Sequence, residues 1–339
     1  MRLFLFSITT ILITLAAHLA SPLNGDANSI PIAALTATNC ESEHAVCDHH
    51  ENTADSPCLA SSNHTYGQLA AGDQSEPIKL NDKQISAFIE VTATSLIKKN
   101  KTTKTTELHK NLANKKCELV LAKPGKKKQQ AHEVYKQTRS SVAIVAGVYK
   151  CGKCTRWHPA PASGFVISKD GALVTNYHVI ENKTRETFVA YVDNKVYPVK
   201  KVLAASKNND VAILQLDLPK GVELKPIAIQ PNAPVGSDAI VISHPDRRYF
   251  SLTRGIVSRY FHMDKKSARN VPMMAITADY AKGSSGGPVL NDKGAVIGIV
   301  SSTSSVYYST AKNGTKENLQ MVFKQCVPAA SLMKLIDNK

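Results

Sequence analysis

The chain has 339 residues, 43% hydrophobic and 20% charged, with 42 Lys and Arg against 27 Asp and Glu for a net charge of +15. That composition excludes a chain disordered throughout, allows one to three domains, and supplies a core that needs no disulfide staple. The positive balance favours anionic partners such as nucleic acid, acidic polysaccharide or anionic lipid, without naming one.

Residues 1–27 read as a leader. Arg2 precedes the apolar run Leu3–Leu19, and Gly25-Asp26-Ala27 offers small residues at a cleavage position. This order predicts a signal peptide and an exported protein. The run is short for a membrane span, and an uncleaved membrane anchor is the alternative. Residues 28–138 read as a largely irregular N-terminal extension. Cys40, Cys47 and Cys58 stand there among His44, His49, His50 and His64. Their spacing matches no compact zinc motif, so disulfides or a disordered leader are expected. Ile85, Phe88, Ile89 and Leu96 fall near helical spacing. The stretch Lys98–Lys128 follows, with a short strand expected at Cys117–Leu121. It reads as a solvated linker, or as an arm contacting polyanions, although Tyr135 alone stands near the lysines as an aromatic.

From about residue 139 to 339 the texture changes to one domain of short β-rich runs. Ser141–Tyr149, Gly164–Ser168, Ala172–Thr175, Phe188–Val192, Val196–Ala204 and Val211–Leu216 form a first set of expected strands. Pro226–Ile229, Ala239–Ser243, Leu252–Ser258, Met273–Thr277, Pro288–Leu290, Ala295–Ser301 and Gln320–Lys324 form a second. Asp170-Gly171 and Asn291-Asp292-Lys293-Gly294 read as hairpin turns. Some dozen short strands without intervening helices predict an all-β barrel or a sandwich pair. Val327–Ile336 reads as one closing helix, with Pro328 in its first turn.

The chemistry centres on Gly283-Ser284-Ser285-Gly286-Gly287-Pro288. Glycines on both sides of a serine allow a sharp turn that exposes Oγ and aims backbone N–H groups outward. A serine hydroxyl is a weak nucleophile at neutral pH, so it needs a base, and the base needs a partner that holds its tautomer. Upstream, His178 ends the apolar run in Leu173-Val-Thr-Asn-Tyr-His178, and Asp210 immediately precedes the apolar run Val211–Leu214. Taken singly, each residue also fits a surface or turn role.

Together these motifs resemble the chymotrypsin-like serine peptidases, and most of all their HtrA/Deg branch, over about residues 140–336. Ser163-Gly-Phe-Val-Ile-Ser168, Val174-Thr-Asn-Tyr-His-Val179, Asp210-Val-Ala-Ile-Leu214 and Gly283-Ser-Ser-Gly-Gly-Pro288 stand in the family's order. The resemblance implies a double six-stranded β-barrel with a C-terminal helix. It implies hydrolysis of peptide bonds in protein substrates, with Ser285 as nucleophile, His178 as base and Asp210 as its orienting acid. The N–H groups of Gly283 and Ser285 would form the oxyanion hole, and Ser301, Ser302 and Thr303 would pair with the substrate backbone. Asp279, six residues before Ser285, implies a basic residue at the position preceding the cut; a pocket lined by Tyr280 would be apolar instead. The chain offers no space for the family's usual C-terminal PDZ domain, so regulation through it is not expected. Ser284 replaces the Asn or Asp common beside the nucleophile.

No cofactor and no metal are expected. Cys151-Gly-Lys-Cys154 with His158 provides two thiols and one imidazole, short of a tetrahedral zinc site, so a local disulfide is the reading there. The seven cysteines, which include Cys117 and Cys326, leave at least one thiol free or shared between molecules. The alternative to a peptidase is a catalytically silent protein of the same fold that binds peptides or polyanions.

Overall fold

A computed structural model describes residues 78–265 and 268–338. The expected leader and the segment with Cys40, Cys47 and Cys58 lie outside the described residues. The described residues fall in one compact unit. Among the described residues, no helix is long and apolar enough to cross a membrane.

The chain begins with helices α1 (Asp82–Lys98) and α2 (Thr105–Lys110), strand β1 (Cys117–Leu119) and helix α3 (Ala131–Thr138). Strands β2 (Val142–Tyr149), β3 (His158–Val166) and β4 (Ala172–Thr175) follow, then the single-turn helix α4 (Tyr177–Ile180). Next come β5 (Thr187–Val192), β6 (Lys195–Ser206) and β7 (Val211–Leu216). The second half holds β8 (Asp238–Ser243), β9 (Ser251–Lys265), β10 (Ala268–Ile276), β11 (Pro288–Leu290), β12 (Val296–Thr310) and β13 (Lys316–Pro328). Helix α5 (Ala329–Met333) and β14 (Ile336–Asn338) end the described chain.

Two closed barrels result, with strand orders β2-β3-β4-β7-β6-β5 and β10-β13-β12-β11-β8-β9. Closure pairs the sheet edges that would otherwise be exposed. Side chains alternate faces along a strand, and β2 illustrates the result. Ala143 and Val145 face the interior of the first barrel with Leu173, Phe188 and Leu214. Val142, Ile144 and Ala146 face the other way, into a cluster that takes in Ile240, Ile242 and Ile299 of the second barrel. The two barrels therefore meet across an apolar seam, and β2 reads as an unbroken apolar run because both its faces are covered.

The same seam corrects the reading of residues 82–138 as irregular and solvated. Ile89 and Ala93 of α1, Leu119 of β1 and Val134 of α3 are buried in it, and Leu108 of α2 is buried with the first barrel's interior cluster. Asn81 caps α1 by accepting from the Gln84 N–H at 3.1 Å. Asp82 accepts from the Tyr249 N–H at 3.0 Å, which ties the helix to the second barrel. β1 pairs in parallel with β14, Cys117 opposite Ile336. In Lys98–Lys128, Lys110, Lys116 and Lys128 pair with Glu107, Asp337 and Asp292. The lysine and threonine content of 98–106 masked a segment whose few apolar residues are its anchors.

Three other expectations change. Pro226–Ile229 is not a strand, and Ile229 makes only an isolated bridge to Val296. The closing helix is one turn, because β13 runs on to Pro328, the residue that caps α5. β12 and β13 extend far beyond the expected Ala295–Ser301 and Gln320–Lys324, as an exposed hairpin rich in Ser and Thr that buries neither face.

Candidate active site

His178 and Asp210 come from the first barrel and Ser285 from the loop before β11. β4 ends at Thr175, and α4 turns His178 toward the seam with its side chain 44% exposed. Asp210 precedes β7 in the left-handed region, at φ 56°, a conformation that Asp tolerates better than most residues. Buried Asn176 holds that turn by donating its side-chain amide to the Asp210 carbonyl at 2.9 Å.

Asp210 is 8% exposed, and its carboxylate takes donors from three directions. The His178 backbone N–H and Nδ1 each lie 3.0 Å from it, and the Ser301 hydroxyl donates to Oδ2 at 2.7 Å. Burial raises the carboxyl pKa, but the His178 hydrogen bonds and charge and the Ser301 hydroxyl outweigh it, leaving the group below its ordinary value. An ionised acceptor on Nδ1 fixes the proton there and leaves Nε2 as the free base. Ser301, expected only along the substrate strand, thus also completes the acid's hydrogen bonds across 91 residues of sequence.

The turn around Ser285 is pressed against the first barrel. Ser163 of β3 clamps it: its N–H donates to the Ser285 carbonyl at 2.8 Å and its hydroxyl to the Gly283 carbonyl at 2.9 Å. A β-carbon on Gly286 would lie 2.2 Å from the Ser163 carbonyl oxygen, and one on Gly283 would lie 2.4 Å from the His244 carbonyl oxygen. Both glycines also have positive φ, 86° and 96°, so space and conformation together demand glycine. Among the described residues, the N–H groups of Gly283 and Ser285 donate to no protein acceptor, the state required of donors reserved for a ligand oxygen. Ser285 Oγ lies 3.5 Å from the Ser301 carbonyl oxygen; its hydrogen bond to His178 Nε2 is not formed in this geometry. Ser284 is fully buried and accepts from the Ser243 hydroxyl at 2.9 Å.

β12 pairs with β11 on one side only as far as Ile299. Beyond Val300, Ser302 and Thr303 pair with Gln325 and Lys324 of β13 on the other side, so the edge nearest Ser285 is open to an added strand. Tyr280 is 5% exposed, with its hydroxyl 2.9 and 2.8 Å from the carbonyl oxygens of Ser302 and Gln325; burial raises its pKa. Asp279 is 82% exposed at its side chain and pairs at 3.0 Å with Lys324, itself 14% exposed. Lys324 also donates to the Tyr280 carbonyl at 2.8 Å. The acid expected to receive a basic substrate side chain is therefore already matched by a cation that sequence reasoning missed, because Lys324 lies 45 residues away.

Ser163, Asn176 and His244 were likewise missed as site residues. His244 is fully buried and spans the seam, with Nε2 3.0 Å from the Ala143 carbonyl oxygen and Nδ1 accepting from the Phe250 N–H at 3.0 Å. Its only sequence signal was a histidine directly after an apolar run.

Residues 162–299 match the trypsin-like peptidase domain. The chain is 36% identical over 142 residues to Protease Do-like 1, chloroplastic, of Arabidopsis thaliana, covering 40% of this chain and 32% of that protein. It is 34% identical over 143 residues to Serine protease HTRA1A of Danio rerio, covering 41% and 29%. It is 33% identical over 145 residues to a probable periplasmic serine endoprotease, DegP-like, of Hahella chejuensis, covering 40% and 28%. The chain thus spans about a third of the length of these relatives.

Proposed function

We propose that this chain, which carries a trypsin-like peptidase domain similar to those of HtrA and Deg proteases, is a serine endopeptidase that cleaves protein substrates through an acyl-enzyme. The observation that carries the reading is the Asp210–His178 pair, closed by a Ser301 whose hydroxyl reaches Asp210 and whose carbonyl oxygen lies 3.5 Å from Ser285 Oγ, together with the unclaimed N–H groups of Gly283 and Ser285.

Substrate lies as an added strand along Ser301–Thr303, held by backbone hydrogen bonds. His178 Nε2 takes the Ser285 hydroxyl proton as Oγ bonds to the scissile carbonyl carbon. The Gly283 and Ser285 N–H groups bind the resulting oxyanion; losing one such donor costs about 3–4 kcal/mol. His178 then gives its proton to the leaving amine as the C–N bond breaks. Water, activated by the same imidazole, releases the acyl group and restores Ser285. Asp210 keeps its charge throughout and stabilises the imidazolium.

Lys324 sets side-chain choice beside this site. Its ammonium, held against Asp279 and Tyr280, makes the pocket unfavourable for lysine or arginine and suited to neutral or acidic side chains. Export through residues 1–27 belongs to the same reading, since the DegP-like relatives are named periplasmic. A contact of Lys98–Lys128 with polyanions would use the lysines other than Lys110, Lys116 and Lys128, which pair with Glu107, Asp337 and Asp292.

A fluorophosphonate probe on the intact protein, beside Ser285→Ala, tests the reading. Labelling at the Ser285 peptide that vanishes in the variant supports it. Absence of labelling, both in the full chain and after removal of residues 1–77, favours the silent peptide-binding protein. The unformed Ser285–His178 hydrogen bond is the observation in favour of that second reading.

A further inference from the structure

The loop that joins β2 to β3 carries Lys150-Cys-Gly-Lys-Cys-Thr-Arg-Trp-His158, and it has no part in the peptidase reading. Folding brings its three soft donors together. Cys151 Sγ and Cys154 Sγ lie 3.5 Å apart, and Cys154 Sγ lies 3.1 Å from His158 Nε2. All three donor atoms fall within 4.8 Å of one another, and both cysteines are free thiols. A tetrahedral zinc ion holds sulfur at about 2.3 Å and nitrogen at about 2.1 Å, which places neighbouring ligand atoms about 3.5–3.8 Å apart. The Cys151–Cys154 and Cys154–His158 pairs thus need to part by about half an ångström or less to admit the ion.

The loop is built for that convergence. Gly152 has a φ of 75°, and nothing lies within 4 Å of where its β-carbon would be. Glycine is there for the turn, not for space. His158 is fixed by its place in β3, opposite Tyr149, whose ring lies 5.8 Å from the imidazole. Lys150, Lys153 and Arg156 stand in the same stretch with no acidic residue, so the two thiols and the imidazole are the donors it offers a sulfur- and nitrogen-preferring cation.

We propose that Cys151, Cys154 and His158 bind one zinc-like divalent ion, with the fourth position open to water. A Cys₂His set with an open position suits zinc, with its preference for sulfur and nitrogen in a tetrahedron. Binding displaces the two thiol protons and is pH-dependent for that reason. The ion clips the loop to β3 and fixes one wall of the cleft between the loop and α1, which Val91, Lys99, Arg156 and Trp157 line. The sequence reading of a local disulfide is the competitor, because two thiols at this distance are also poised to oxidise.

The test uses the full chain, reduced and freed of metal, titrated with Co²⁺ and then Zn²⁺ as probes. The expected result is one Co²⁺ per chain with thiolate-to-cobalt absorption, displaced by Zn²⁺ and abolished in Cys151→Ser/Cys154→Ser. His158→Ala should weaken zinc at least about tenfold, since even partners behind the ligands cost that much. Cys40→Ser/Cys47→Ser/Cys58→Ser, which removes the cysteines that stand among histidines in the N-terminal segment, should keep the site. Absence of the cobalt band, its survival in the 151/154 double variant, or a native 151–154 disulfide that excludes zinc would each overturn the proposal.

Discussion

Replacing His244 by Asn should flatten the acid side of the stability curve. His244 has no exposed surface, and burial pushes its imidazole down to about 3 from 6.5, with the Arg139 charge acting the same way and hydrogen bonds to Ala143 and Ser243 opposing. The folded pKa is therefore below the unfolded one. Above pH 6.5 neither state is protonated and the group is silent. Below it the unfolded chain binds a proton that the folded chain refuses, so stability is lost as pH falls, by about 1.4 kcal/mol for each pH unit. The loss sums to about 5 kcal/mol over the window from pH 6.5 to about 3. That is a large share of the roughly 5–15 kcal/mol by which a domain is stable. Urea unfolding of wild type and His244→Asn at pH 7 and at pH 4.5 measures it. Wild type should lose about 3 kcal/mol more than the variant between those two values. Whatever the substitution costs at pH 7 cancels in that difference. Parallel losses in the two proteins, or an imidazole resonance that titrates above pH 5, would refute the argument that the seam excludes the imidazolium.

Ile89→Ala on α1 removes a fully buried side chain from the seam and should cost about 2–5 kcal/mol in urea unfolding; less than about 1 kcal/mol would return residues 82–98 to the role of an appendage. Ser301→Ala leaves the buried Asp210 carboxylate one donor short, a charge-assisted bond worth about 1.5–3 kcal/mol. It should lower kcat/KM by about 10- to 100-fold and move the acid limb of the pH–rate profile upward; an unchanged profile would remove Ser301 from the charge network. For side-chain choice, Lys324→Met should raise cleavage after Arg about tenfold or more. Asp279→Ala, which deletes an exposed carboxylate whose pairing is worth at most about 1 kcal/mol, should change it by less than about fivefold. Loss of Arg cleavage in Asp279→Ala would restore the acid as the specificity residue.

What was legible in the sequence was whatever is local. Apolar runs cut by Asp170-Gly171 and Asn291–Gly294 marked the strands, and His178, Asp210 and Ser285, the residues of the proposed site, stand at the ends of such runs beside turn-forming residues. The N-terminal segment was not legible as part of the fold, because its five buried anchors, Ile89, Ala93, Leu108, Leu119 and Val134, are spread through lysine and threonine. Only the seam between two closed barrels reveals that β2 needs a cover on its second face. Ser301 meets Asp210 across 91 residues, Ser163 meets Gly283 across 120, and Lys324 meets Asp279 across 45. Sequence alone determined the residue types and the local turns that a nucleophile requires. Tertiary structure decided which charges are paired, which amides stay free and which thiols converge, because hydrogen bonds and ion pairs act over a few ångströms of space and take no account of distance along the chain.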